Sequence, residues 1–387
     1  MPTPHRPALT DGMLRDQFPI LESGPYLNHA AIGPWPRRAA EALQAFAEEN
    51  LRSGPANYGA WVRRENALRE ALAELVGAPS SDSIALLKNT TEGLSAVAWG
   101  LNWQPGDNVV LPRFEFASNR LPWLAQAGQG VEVREVDIRA SEDAEAALLE
   151  SMDANTRVLA VSAVQWSDGF RLDLQRLGEA CHRRQVLFCV DAIQQLGALA
   201  MDVEAMRIDF LAADAHKWLL GPEGIALFYS RDAAREQLAL RQQGWHMFDD
   251  PWNFDRDDWT PAANARRFEA GSPNSAGQAA MHAAVGLLLE VGMDRIGKRV
   301  LENTDWLFER LPAVGGVTIT SRPEPRRRSG ILSFRCAALP AHDLRRKLAA
   351  LGCSCAVRDG SVRLSPHFYQ DEPVLEDFMQ RLVNALS

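Results

Sequence analysis

Lys217 is the first residue of this chain whose type and setting suggest chemistry. Lysine is nearly absent: of 41 Lys plus Arg residues, only Lys88, Lys217, Lys298 and Lys347 are lysines. Lys217 lies in an apolar run from Ile208 that ends in a Gly/Pro turn at Gly224. An amine there can lose its proton and attack a carbonyl, whereas a guanidinium stays protonated. This points to a Schiff-base lysine; the plainer alternative is a lysine snorkelling from a strand end. Lys298 and Lys347 sit among charges in amphipathic text and read as solvated faces.

A carboxylate and an anion site complete the set. Val186–Val190 reads as a buried strand ending in Asp191, and Ile208–Ala212 as the next strand, bringing Asp191 and Lys217 to one sheet edge. Open α/β sheets bind ligands at the carboxyl ends of their strands. A carboxylate near such a lysine can keep the ring nitrogen of pyridoxal phosphate protonated, although an ordinary helix-capping Asp would look the same. Leu86–Gly100 runs from strand-like text into Thr90 and Thr91 and then a small-residue helix. Hydroxyls and free N–H groups at a helix start attract anions, but as a capping motif the pattern is common.

Taken in order, these blocks resemble the class V aminotransferase superfamily of fold-type-I pyridoxal-phosphate enzymes, which includes cysteine desulfurases, kynureninases and isopenicillin-N epimerases. Tyr26–Ala31, Asn89–Gly93, Glu115–Asn119, Asp191–Gln194, His216–Lys217 and Arg267–Asn274 carry the likeness, which spans about residues 20–370. The resemblance implies a role for each position. Lys217 would bind pyridoxal 5′-phosphate and move the proton at substrate Cα, and Asp191 would pair with the ring nitrogen. Gln194 would reach the phenolic oxygen and Phe116 would stack on the ring. Thr90, Thr91, His216 and Asp214 would serve the phosphate, and Ser272 would reach the phosphate of a neighbouring subunit. Relatives often carry Ser at position 214 and Thr at position 272, and desulfurases carry His at position 116. Phenylalanine can stack there but cannot act as acid or base.

The substrate carboxylate is expected to meet Arg363, in the block Ser361–Tyr369, with Arg358 as the rival. Asn28 and His29 are candidates for the substrate side; His29 could assist a proton or serve structure. Cysteine desulfurases carry a nucleophilic cysteine on a loop before this arginine, yet here Val357–Gly360 runs straight into Ser361–Arg363. A persulfide-forming desulfurase is therefore not expected. The leading expectation is an aminotransferase acting on a small amino acid. A C–S or C–C β-lyase or an epimerase is the alternative, and a non-catalytic ligand-binding regulator is the reading from a different class.

Composition sets the frame. With 387 residues and 46% apolar content, the chain can bury a large core and build two lobes. A net charge of −9 argues against a nucleic-acid partner. Five irregularly spaced cysteines indicate a reducing compartment and no metal site. The N-terminus lacks an apolar signal core, and no run is long enough to span a bilayer, so a cytoplasmic protein is expected. That it is a homodimer is what the resemblance implies. The expected fold is α/β: a large doubly wound domain with a mostly parallel sheet (24–276) plus a smaller α+β domain (1–23 and 277–387). Gly277–Asn303 reads as one long helix, and Ser321–Ser329 as a solvated turn whose charge could otherwise face an anionic ligand. Gly244–Trp259, rich in aromatics, reads either as interface packing or as a substrate lid.

Overall fold

The computed structural model describes residues 11–387 except Arg256. The N-terminal segment read for a targeting signal, and residues 1–10 of the smaller domain, lie outside the described residues. Short apolar runs form a seven-stranded sheet: β1 (Ile84–Leu87), β2 (Asn108–Pro112), β3 (Glu132–Val136), β4 (Thr156–Ser162), β5 (Leu187–Asp191), β6 (Phe210–Asp214) and β7 (Ala226–Ser230). Their order is β1-β7-β6-β5-β4-β2-β3. Strands β2 to β6 pair in parallel, while β7 runs antiparallel to both of its neighbours. Parallel strands need both faces covered, which explains why β5 and β6 are wholly buried and read as apolar text up to a terminal aspartate.

The sequence places the sixth strand at Ile208–Ala212; it lies two residues later, because Asp209 turns aside. One Asp209 oxygen accepts the Phe188 N–H at 2.9 Å and the other binds Arg231. A second sheet, ordered β10-β11-β9-β8, is antiparallel: β8 (Val317–Ile319), β9 (Leu332–Cys336), β10 (Ala356–Arg358) and β11 (Ser361–Leu364). It packs through Phe334, Val362 and Leu364 on Leu344, Leu348, Leu375 and Phe378, giving the smaller lobe its own core.

Two expectations are corrected. The long helix is two helices, Ser275–Val291 and Met293–Arg310, separated by Gly292 at φ +87°. Nothing crowds that glycine, so its backbone angle alone makes the break. The first helix joins the large lobe: Met281, Val285 and Leu288 enter its core, and Ala280 and Ala284 meet Ala39. The second helix bridges, with Ile296 and Val300 in the large core and Leu307 and Phe308 in the small one. The packing thus passes from the large core to the small one within the second helix, between Val300 and Leu307. Nor is Ser321–Ser329 simply a solvated turn. Arg327 is buried there and grips Glu145 of the large lobe with two bonds, at 2.5 and 2.6 Å.

Candidate active site

Parallel pairing of β4, β5 and β6 puts their carboxyl ends along one edge, occupied by Ser162, Asp191 and Asp214. The chain leaves β6 through His216 and Lys217 into a tight turn, closed by the Leu220 N–H on the Lys217 carbonyl at 3.2 Å. Leu220 is fully buried and held at φ +59°, a left-handed conformation costly for a branched side chain.

The electrostatics follow from burial. Desolvation lowers the Lys217 amine to about 8, helped by Arg363 and opposed by Asp191. Burial lifts the Asp191 carboxyl to about 6, against a 3.0 Å hydrogen bond from the Ile193 N–H and the charge of Lys217. A fixed positive charge placed beside Asp191 would return it to the carboxylate form. The Lys217 Nζ sits 5.7 Å from the centroid of the Phe116 ring, which is 43% exposed and touches Trp166 edge-on at 5.6 Å. The ring leaves one face open to a planar ligand.

Arg363 is 1% exposed. Its Nη1 donates to the Trp166 carbonyl, while Nε and Nη2 have no partner. Burial, then Arg358, pulls this guanidinium down to about 9. Nε and Nη2 form one edge of the fork, the edge that binds a carboxylate with two parallel bonds. Arg358 is only half-buried and donates to its neighbour Val357's carbonyl at 2.8 Å.

The remaining expected residues divide. Asn89 caps the helix Thr90–Gly100 by accepting the Glu92 N–H at 2.9 Å. Thr90 accepts the Asp214 N–H at 2.9 Å and so ties this helix start to the end of β6, and Thr91 donates to Ser118 at 2.8 Å. Asp214 Oδ1 and His216 Nδ1 lie 2.9 Å apart without a directed hydrogen bond. Gln194 donates to the Ala30 carbonyl at 3.0 Å and accepts from Trp218, next to Lys217, which leaves one amide hydrogen free. Asn28 bridges to Ser365, and its buried Oδ1 has no partner. His29 departs from the expectation of substrate contact: it is fully buried, with Nδ1 on the Ser365 carbonyl at 2.8 Å and Nε2 on the Tyr369 hydroxyl at 2.6 Å. Both nitrogens are engaged, so His29 knits the lobes together. Ser272 is exposed on this chain, in a cleft with Lys88, Gly224 and Asn274 rather than beside Lys217 and Asp191.

Sequence reasoning passed over Glu115. It is 6% exposed and accepts the Ser162 N–H at 2.7 Å and Gln165 Nε2 at 3.1 Å. An acid directly before the stacking ring was the available signal. Elsewhere, Glu65, His246 and Glu269 bring ligand atoms within 4.8 Å of one another. Arg69 lies among them, 2.6 Å from each carboxylate, so this cluster already holds its cation. Among the described residues, no helix is long and apolar enough to cross a membrane.

Unsatisfied buried atoms on Arg363, Asn28, Asp214 and His216, an open aromatic face and a lysine–aspartate pair fit a planar, anionic, carbonyl-bearing cofactor. Residues 25–370 match the family model described as aminotransferase class-V. A protein described as a probable cysteine desulfurase from Methanothermobacter thermautotrophicus is 31% identical, over 93% of this chain and 94% of its own length. The cysteine desulfurase of Salmonella newport is 28% identical, over 90% and 87%. Among solved structures, the cystine C–S lyase C-DES, in complex with cysteine persulfide, superposes with a TM-score of 0.88 at 25% identity, covering 96% of this chain and 99% of that one. The cysteine desulfurase CsdA from Escherichia coli gives 0.86 at 25%, covering 98% of each. The chain therefore belongs to the class V aminotransferase family and is an enzyme that uses pyridoxal 5′-phosphate.

Proposed function

We propose that this enzyme is a C–S lyase, eliminating a sulfur leaving group from Cβ of a small amino acid, and that transamination is not its main reaction. The likeness to the solved cystine C–S lyase carries this reading, and the hairpin between β10 and β11 separates it from a desulfurase. Arg358 pairs with Ser361, and only Asp359 and Gly360 lie between them, at φ +53° and +70°. A two-residue Asp-Gly turn of this hand is the tightest connection two such strands can make. Neither a longer loop nor a cysteine lies between Arg358 and Arg363. Cys353 and Cys355 are buried in the small-lobe core, and burial pushes their thiols up to about 11 and 12. Neither is a thiolate able to take sulfur from a substrate.

Pyridoxal 5′-phosphate, when bound, supplies the electron sink that lets a Cα proton leave. Lys217 would hold the cofactor and then accept that proton; Asp191 would keep a proton on the ring nitrogen; Arg363 would orient the α-carboxylate. Phe116 would cover the ring and keep water out. The Cα–H and Cβ–S bonds break, the sulfur departs with the electron pair, and the remainder is hydrolysed to a keto acid and ammonia. Phe116 has no proton to give, which favours a weakly basic leaving sulfur, such as the persulfide released from a disulfide. We take cystine-like disulfides as the substrate class, in keeping with the solved lyase. We further infer a homodimer in which Ser272 completes the neighbouring subunit's phosphate site.

The test is a product assay with cystine, cysteine and alanine plus a keto-acid acceptor. Equal amounts of pyruvate and ammonia from cystine are expected. Cofactor accumulating in its amine form with one equivalent of keto acid would make it an aminotransferase. Alanine with a protein-bound persulfide would make it a desulfurase.

A further inference from the structure

We propose that Glu115 is a positioning residue: its carboxyl frames the active site, holding the Phe116 ring, Asp191 and Arg363 in mutual register. The inference rests on the family and cofactor, not on which reaction follows.

The frame is built from hydrogen bonds on the segment after β4. The Ser162 N–H donates to Glu115 Oε1 at 2.7 Å, and the Ser162 hydroxyl donates to the other oxygen. Ser162 is in register with Asp191, and the next N–H, of Ala163, donates to the Asp191 carbonyl at 2.9 Å. Two successive peptides, on either side of the Ser162 Cα, thus bind the Glu115 carboxyl and the Asp191 backbone. Gln165 Nε2 donates to Glu115 Oε1 at 3.1 Å and fixes the chain immediately before Trp166. Trp166 donates from its indole to the Phe114 carbonyl at 3.0 Å, meets the Phe116 ring, and accepts Arg363 Nη1. Phe116 itself is exposed, its loop tied on the far side by Ser118 to Thr91. Without Glu115, the near side of that loop loses its anchor, and Trp166 loses the neighbour that sets its place.

The frame acts through hydrogen bonds rather than charge. Burial raises the Glu115 carboxyl to about 7, against the bonds from Ser162 and Gln165, so near neutrality much of it carries a proton. With Oε1 accepting two N–H groups, that proton lies on Oε2 and is donated to the Ser162 hydroxyl, which then accepts. A glutamine can keep these three contacts: its amide oxygen in place of Oε1 accepts from the Ser162 N–H and Gln165 Nε2, and its NH2 donates to the Ser162 hydroxyl, which again accepts.

The test compares Glu115→Ala, Glu115→Gln and Glu115→Asp as holoenzymes. The readouts are visible-region circular dichroism per bound pyridoxal phosphate and the rate at which the cofactor is lost, with far-ultraviolet dichroism as the fold control. Glu115→Ala is expected to lose most of the visible signal and to release cofactor about tenfold faster, the effect of losing one or two buried hydrogen bonds. Glu115→Gln should stay within about twofold of the parent in both, the size of effect expected when the bonds are kept. An alanine variant with the parent's signal and release rate overturns the proposal. If the alanine variant does not fold, the other two decide. A functional glutamine and a defective aspartate support the frame. A functional aspartate with a defective glutamine would assign the role to charge and refute it.

Discussion

The chemistry of this site depends on how far burial moves two groups from their ordinary behaviour. Lys217 at about 8 is poised to give up its proton at a pH where a solvated lysine stays charged. Only the neutral amine attacks a carbonyl, so cofactor-free protein should capture pyridoxal phosphate faster as pH rises. The rate should climb roughly tenfold per unit below about 8 and level off above it. Stopped-flow growth of the visible band would follow it, and borohydride should then fix the cofactor to Lys217. A pH-independent rate between 6 and 8 would count against this assignment. Arg363 offers a second test at this scale. Its unpartnered edge binds nothing on the protein, so Arg363→Ala should leave cofactor absorbance intact while weakening amino-acid binding by about 2–4 kcal/mol. Unchanged affinity for carboxylate substrates would move the role to Arg358.

Elements were legible where one signal governed. The helix Leu174–Arg184 and the strands β4 and β11 fall where periodicity and apolar runs put them. The edge carrying Asp191 and Lys217 followed from two buried strands in sequence, since parallel pairing leaves their ends nowhere else to go. What periodicity could not show was a break that preserves phase. The helices on either side of Gly292 keep apolar faces that read as one stripe, and only a backbone angle divides them. Nor could it show the Glu115 frame, whose partners lie 47 to 50 residues away. The Gly292 break is testable. At φ +87° and ψ 130° an alanine is strained although space is open, so Gly292→Ala should cost about 1–3 kcal/mol in denaturant unfolding with the fold retained. A neutral substitution would mean that the two helices can merge at no cost.

At the scale of the molecule, the question is what holds two lobes around a site that uses residues from both. Arg363 and Asn28 pack with the small lobe and Lys217 with the large one, so any slippage between lobes detunes substrate against cofactor. Arg327 and Glu145 oppose that slippage as a buried, bidentate ion pair, which the arginine-rich turn disguised in the sequence as solvated charge. Arg327→Met leaves the buried Glu145 carboxylate with only Arg176, 4.0 Å away, as a cation and should cost about 3–5 kcal/mol, whereas adding Glu145→Leu should restore much of it. Equal stability of the single and double variants would show that the pair is not the lobe clamp.

Ser272 raises the last question of scale, because it faces solvent on one chain while the family resemblance gives it a phosphate to bind. A second subunit resolves the conflict if each Ser272 serves its neighbour. Lys217→Ala removes the lysine from one subunit's site, and Ser272→Asp places a like charge against the phosphate in whichever site that residue serves. If Ser272 acts across the interface, a hybrid of the two variants holds one site with Lys217 and an intact Ser272, and a second site with neither. Random re-association of equal amounts makes half of the dimers hybrids, so about a quarter of all sites should regain activity. If Ser272 serves its own chain, every site that keeps Lys217 also keeps Asp at position 272, and mixing restores nothing. The comparison needs only the two inactive variants, dissociated and re-associated together, with the quarter-level recovery measured against the parent. Recovery near zero, with hybrid dimers demonstrated by mass, would place Ser272 outside the partner's site.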